Sequence, residues 1–249
     1  MTASVGPFLM QNVGIQPFAR MSSQPFAKPQ LLQTLPLQIA DQIAASIVNG
    51  SFSPGSRLRE VELAQYFNLS RATIREALRH LEQRGLVRIQ PQRGAHVTQL
   101  SAKELDDLFE VRASLLATGS RLAAERCTET HAKLLREQLD QLRESVGELD
   151  AYMRASGALV DTLVRLSGNQ VLTTYINDFA QRIGRYVRLS LASEARRKRS
   201  LATWARVVTA VVQRDGEAAA AHHRKLALDN RSAALEEFQR QQNLDAAAA

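Results

Sequence analysis

Apolar positions recur at helical period along most of the chain, and the clearest break in that rhythm falls between residues 86 and 99. Just before the break, Ile74, Ala77, Leu78 and Leu81 stand at i, i+3, i+4 and i+7 and form one apolar stripe. Arg71, Ala72, Thr73, Arg75 and Arg79 occupy the other face of the same helix. Ser70 is placed as an N-cap and Gly85 as a left-handed residue beyond the C-terminus, so both ends are marked. Upstream, residues 60–67 predict a second short helix with Val61, Leu63, Ala64 and Phe67 inward, joined to the first by Asn68, Leu69 and Ser70. Two short helices with so tight a connection form a helix-turn-helix, whose second helix lies in the DNA major groove. Residues 86–90 then alternate as a strand, 91–94 make a turn, and 95–99 return as a second strand. A basic-tipped hairpin in that position is a wing.

Residues 37–48 are amphipathic through Ile39, Ile43 and Ile47, and Asn49 and Gly50 stop them. Ser53, Pro54 and Gly55 turn the chain, so that Arg57 and Leu58 can add a short strand beside the wing. Beyond it Ser101 and Glu104 form a capping box. Helical period continues over 101–126, 130–148, 150–166, 169–192, 195–213 and 216–239. With no further strand pattern and no glycine-rich phosphate loop, the expected fold is mainly α. It comprises an N-terminal winged helix-turn-helix at 34–100 and a C-terminal antiparallel six-helix bundle at 101–240. Residues 1–33 hold four of the seven prolines and a repeated QPFA element, and are expected to be a disordered extension. Residues 241–249 are expected to be a frayed tail.

Composition narrows the function. The net charge is +7, which suits a polyanionic partner, and residues 34–100 carry eight Arg against five acids. Cys127 is the sole cysteine, so an intrachain disulfide is impossible and a reducing cytoplasm is the expected compartment. The residue itself reads as a small, partly buried one. No apolar run of about 18 residues could span a membrane, and the N-terminus lacks the pattern of a signal peptide. His80, His96, His131, His222 and His223 are scattered, and with no nucleophile motif they give no catalytic constellation. An enzymatic bundle fused to a DNA-binding module is the competing class, and nothing in the residues favours it.

The segment PGSRLRE at 54–60, LSRATIREALRHLEQRGLV at 69–87 and RGAHV at 93–97 together resemble the GntR family of bacterial transcription regulators. The likeness covers about residues 36–100, with Leu69, Ala72, Thr73 and Ile74 as mild variants of the family's VSRTPVREAL. The helical remainder resembles the FCD ligand-sensing domain of the FadR-like branch. The resemblance implies a homodimer on a near-palindromic double-stranded operator, most often as a repressor, released or retained by a small effector. Arg59, Ser70, Arg71, Thr73, Arg75, Arg79, Gln92, Arg93 and Gly94 are then the DNA-binding candidates.

FCD bundles typically hold a metal with one Asp and three His. Counting from Gly168-Asn169 and from the later family segments, those four positions fall on Ser156, Val160, Trp204 and Leu226. None offers imidazole or carboxylate, so no metal and no cofactor is expected. His222, His223 and the neighbouring Asp161 could rescue a site only with a shift of register. What remains is an apolar floor of Val160, Trp204 and Leu226 with Ser156 beside it, and arginines for a carboxylate. Arg112 lies in a segment like the family's EVRxxLE, with Leu116 in place of its glutamate. Arg182, Arg185 and Arg188 share one face of a helix. Arg112, Arg185 and Arg188 are the candidate counter-charges for an acidic metabolite, although each could instead pair with neighbouring acids. The run RRKR at 196–199 is expected to be solvated, with DNA phosphate or a partner as the alternative. A bundle that only dimerises and senses nothing is the other reading of the missing ligands.

Overall fold

The structure, a computed structural model, describes residues 34–248. The expected disordered extension over residues 1–33 lies outside the described residues. The first helix, α1 (Leu35–Val48), carries Pro36 in its first turn, where a missing N–H leaves no helical bond unmade, and buries Ile39, Ile43 and Ile47. β1 (Arg57–Leu58), α2 (Glu60–Phe67), α3 (Arg71–Gln83), β2 (Val87–Gln90) and β3 (Gly94–Val97) complete the winged unit. Asn68 makes the corner between α2 and α3 at φ +52°, a left-handed conformation that Asn tolerates better than most residues. Ser70 Oγ accepts the Thr73 N–H at 3.1 Å, so the N-cap forms where the sequence marks it. Gly85, at φ +74°, lies just beyond α3.

β3 is the central strand of an antiparallel sheet ordered β1-β3-β2, with Arg57 opposite His96 and Val87 opposite Val97. The wing strands are shorter than the alternation predicts, although the Thr98 N–H still donates to the Leu86 carbonyl at 2.9 Å. Ile74, Ala77, Leu78 and Leu81 of α3 share one core with Ile39, Ile43, Leu58, Val87 and Val97. Val61 departs from expectation and is 48% exposed. Leu63 and Ala64 take the buried side of α2, and at roughly 100° per residue Val61 points nearly opposite Leu63.

Six helices follow: α4 (Ala102–Glu125), α5 (Glu129–Glu144), α6 (Leu149–Leu166), α7 (Gln170–Ser190), α8 (Glu194–Val212) and α9 (Gly216–Ala248). Capping explains most of the starts. Ser101 and Glu104 form the predicted box, and Thr128, Asn169 and Ser193 each accept a backbone N–H in the first turn of the next helix. The final helix continues to Ala248 instead of fraying after residue 240, in keeping with the strong helix propensity of its terminal alanines.

The most extensive pairing in the bundle is between α4 and α9. It is antiparallel, tied by Asp106–Arg231 at 2.5 Å, Ser114–Arg224 at 3.0 Å and Ser120–His223 at 2.6 Å. Further along the chain α7 reaches back to the winged unit. Gly184 packs on Val48, where an added Cβ would come within 3.2 Å of a valine methyl, and Arg185 Nη1 donates to the Phe52 carbonyl at 3.1 Å.

Leu78 is 1% exposed at the centre of the winged core. Leu78→Ala should cost about 2–5 kcal/mol of stability, because the cavity adds to the lost transfer energy. Urea unfolding followed by circular dichroism checks this, and a loss well under 1 kcal/mol would show that α3 is not anchored through its stripe.

Candidate nucleic-acid interface and buried bundle cluster

The exposed face of α3 carries Arg71, Arg75 and Arg79. Arg75 grips one carboxylate with both edges of its guanidinium: Nε donates to Glu60 Oε1 at 3.0 Å and Nη2 to Oε2 at 2.8 Å. Arg71 approaches the same carboxylate at 3.6 Å. The Arg75 hydrogen bonds hold the Glu60 carboxyl below its ordinary range, and the Arg71 charge adds a smaller pull. Glu60 thereby orients both cations from the neighbouring helix. Sequence reasoning missed it, since its partners lie across the helix-turn-helix corner, beyond any periodicity.

Arg59 pairs with Glu62 at 2.9 Å. Ser70 and Thr73 hydroxyls share a 2.8 Å hydrogen bond at the start of α3. At the wing tip Gln92 and Gly94 adopt φ +62° and +85°, with Arg93 exposed between them. An open groove of about 420 Å³ is lined by Arg57, Arg59, Glu60, Arg71 and Gly94. Ion pairs as exposed as these contribute little, so a phosphate or a guanine edge can displace the carboxylate.

Inside the bundle, Arg112 of α4 is 8% exposed, and its Nε has no hydrogen-bond partner. No carboxylate acts on it, and burial alone pulls the guanidinium down to about 10. His223 of α9 is also buried. Its Nδ1 shares the 2.6 Å hydrogen bond with Ser120 Oγ, and its ring lies 5.0 Å from the Trp204 ring. Burial first, and the charge of Arg112 second, push His223 down to about 3, so the imidazole is neutral. A buried cation and a neutral imidazole therefore face each other without an anion. Trp204 and Leu226 belong to one apolar cluster with Leu159 and Leu163, and Val160 packs at its edge. Ser156 Oγ is occupied by the Met153 carbonyl at 3.1 Å.

These residues do not fit a metal. Val160, Trp204 and Leu226 carry no donor suited to one, Asp161 is exposed on α6, and His223 is turned to Ser120. Among the described residues no three His, Cys, Asp or Glu side chains converge. Nor does the structure bring the other effector candidates to Arg112. Arg185 is held at the winged unit by the Phe52 carbonyl, and Arg188 pairs with Asp150 at the start of α6. The Ser120–His223 contact was invisible in the sequence, since its two residues stand 103 apart.

The depressed His223 has a signed consequence. As pH falls below about 6.5 the unfolded chain takes up a proton that the folded chain refuses until about 3, so stability is full above 6.5 and declines through that window. His223→Gln should flatten the decline in Tm between about pH 7 and pH 5. An unchanged slope would show that His223 is protonated in the fold.

The winged unit and the bundle each match a known family model: "Bacterial regulatory proteins, gntR family" over residues 35–97 and "FCD domain" over residues 107–228. The chain is 30% identical over 189 residues to the uncharacterized HTH-type transcriptional regulator YdhC of Bacillus subtilis, covering 75% of this chain and 84% of that one. It is 28% identical over 193 residues to the HTH-type transcriptional repressor RspR of Escherichia coli, with coverages of 76% and 85%. The solved structure of E. coli McbR/YncC superposes with a TM-score of 0.72 at 20% identity over 82% of this chain and 99% of that one, which shows a common fold. No helix among the described residues is long and apolar enough to cross a membrane. The chain belongs to the GntR family of bacterial regulatory proteins, with a C-terminal FCD domain, and is a DNA-binding transcription regulator, not an enzyme.

Proposed function

We propose that the protein is a cytoplasmic repressor that binds a near-palindromic operator as a homodimer and answers to a small carboxylic acid held in its bundle. A single winged unit spans one half-site, so a two-fold operator calls for two chains. In this reading Arg71, Arg75 and Arg79 meet base edges and flanking phosphates. Arg59, Ser70, Thr73, Gln92, Arg93 and Gly94 fix register on the backbone. The DNA-binding and sensing domains divide near residue 100, and the sensing domain extends along α9. The name of RspR supports repression as the sign of control.

The observation that carries the effector reading is Arg112. A buried donor without a partner costs on the order of 1–3 kcal/mol, and more when charged. A carboxylate in front of Arg112 would supply the missing anion in a medium where charge interactions are strong. Ser120 and His223 would offer neutral hydrogen-bonding groups beside it, with Trp204, Leu226 and Val160 as the apolar wall and Ser156 at its margin. A bundle that only dimerised would have no use for such a group and would be more stable without it.

Two measurements test this. Arg71→Ala should weaken operator binding by about 1–3 kcal/mol in a gel-shift titration that saturates at two chains per operator. Unchanged affinity would remove Arg71 from the interface, and saturation at one chain would remove the dimer. Arg112→Met should raise the Tm of the ligand-free protein, abolish any Tm response to short-chain carboxylates and leave operator affinity intact. A lower Tm would show that the guanidinium already has its partner in the fold, and would overturn the effector reading.

A further inference from the structure

The four residues of the RRKR run meet four different fates. Arg197 is 5% exposed and spends its guanidinium on four carbonyls: Val146 at 2.6 Å, Leu191 at 2.9 Å, Ala192 at 2.8 Å and Gly147 at 3.3 Å. It ties the end of α7 to the turn before α6, as a buried C-terminal cap would. Arg196 pairs with Glu236 at 2.5 Å and Lys198 with Glu194 at 2.7 Å. Arg199 has no ion pair among the described residues. It stands on the wall of a cleft of about 280 Å³ between the end of α7, α8 and α9.

The cleft concentrates positive charge. Arg196, Arg199 and Lys225 line it against one acid, Asp229, which already pairs with Lys225 at 2.7 Å. Ser200 and Asn230 add polar groups, and the buried Tyr152 hydroxyl lies behind Ser200 without a hydrogen bond of good geometry. The Arg196 and Lys225 pairs are part exposed, so each contributes little and both cations can turn to an incoming anion. Arg112 is not among the walls.

We propose that this cleft is a second anion site, for a compact metabolite carrying two or more negative charges, with Arg199 as its principal anchor. Its size is just under the roughly 300–1,000 Å³ of sites for drug-sized ligands, which suits a small phosphate ester or a di- or tricarboxylate. Guanidinium forks and a lysine point charge match either group. Leu226 forms part of its wall and packs in the same apolar cluster as Trp204, the only tryptophan of the chain. Occupancy can therefore be followed by fluorescence that the winged unit does not contribute.

The test is calorimetric titration of the full chain with inorganic pyrophosphate and, separately, malonate, alongside Trp204 emission. Both readouts should respond in the wild type and in Arg71→Glu, which removes a competing cation on the DNA face. In Arg199→Glu and Arg199→Ala binding should weaken by about tenfold or more, as for loss of a charge-assisted hydrogen bond, while operator affinity holds. Tighter pyrophosphate assigns the site to phosphate esters, and tighter malonate to carboxylates. The proposal is overturned if neither probe binds at millimolar concentration, if binding disappears in Arg71→Glu but persists in Arg199→Glu, or if the Arg199 variants lose operator affinity. That last outcome would place the run on DNA phosphate. Because Trp204 also borders His223, the titrations are repeated in Arg112→Met. Binding that survives there and falls in Arg199→Glu belongs to the cleft. Binding that survives Arg199→Glu and is lost in Arg112→Met belongs to the interior cation and overturns the cleft proposal.

Discussion

The antiparallel contact of α4 with α9 is the constraint on which the rest of the bundle rests. Ala113, Ser120, Ala123 and Ala124 on one helix and Ala219, Ala227, Ala233 and Ala234 on the other are buried small residues, and they let two long cylinders approach closely. The polar ties at Asp106–Arg231 and Ser114–Arg224 are part exposed and set the register more than they set the stability. Stability comes from the apolar area removed from water along the seam, at roughly 25 cal/mol per Å². Since α4 follows directly from the wing through the Ser101 cap, the same seam fixes where the bundle begins relative to the sheet. It also places Arg112, Ser120 and His223 in the interior, with Ser120 and His223 almost wholly shielded from water and Arg112 nearly so.

That placement gives the interior an unusual electrostatic character. A core normally offers a charged group a partner or none of the charge at all. Arg112 keeps a cation there with nothing opposite, and His223 remains neutral partly because that cation is near. Under the proposed effector reading, the site is thus prepared for one sign of ligand charge before any ligand arrives. Stability given up in the empty state is the usual accompaniment of a binding group held in place ahead of its ligand.

Legibility from sequence divided along a physical line. α3 was readable because its stripe, its Ser70 cap and its Gly85 stop all agree, and the bundle helices because 3.6-residue period is a local property. Val61 faces outward because a two-turn helix has room for only one narrow inward stripe, taken by Leu63 and Ala64. Period reports which residues share a face and says nothing of what stands opposite. Arg182, Arg185 and Arg188 share a face, yet one lies against Gly85, one holds Phe52 and one pairs with Asp150. Glu60 and the Ser120–His223 pair escaped for the same reason, as contacts made by tertiary packing between residues distant in the chain.

Where α7 touches α1, the absence of a side chain at Gly184 matters more than any contact there. With only a hydrogen on that Cα, the backbone of α7 lies directly on the methyls of Val48, and Arg185 pins the next residues through the Phe52 carbonyl. A slide of α7 toward α1 would drive its backbone into the Val48 methyls, so close packing at this joint couples α7 to the winged unit. In the proposed dimer the bundle would then set the distance between two recognition helices on DNA, and α3 the letters read. A chimera given another family member's α3 would change the letters of its operator and keep the spacing between the half-sites.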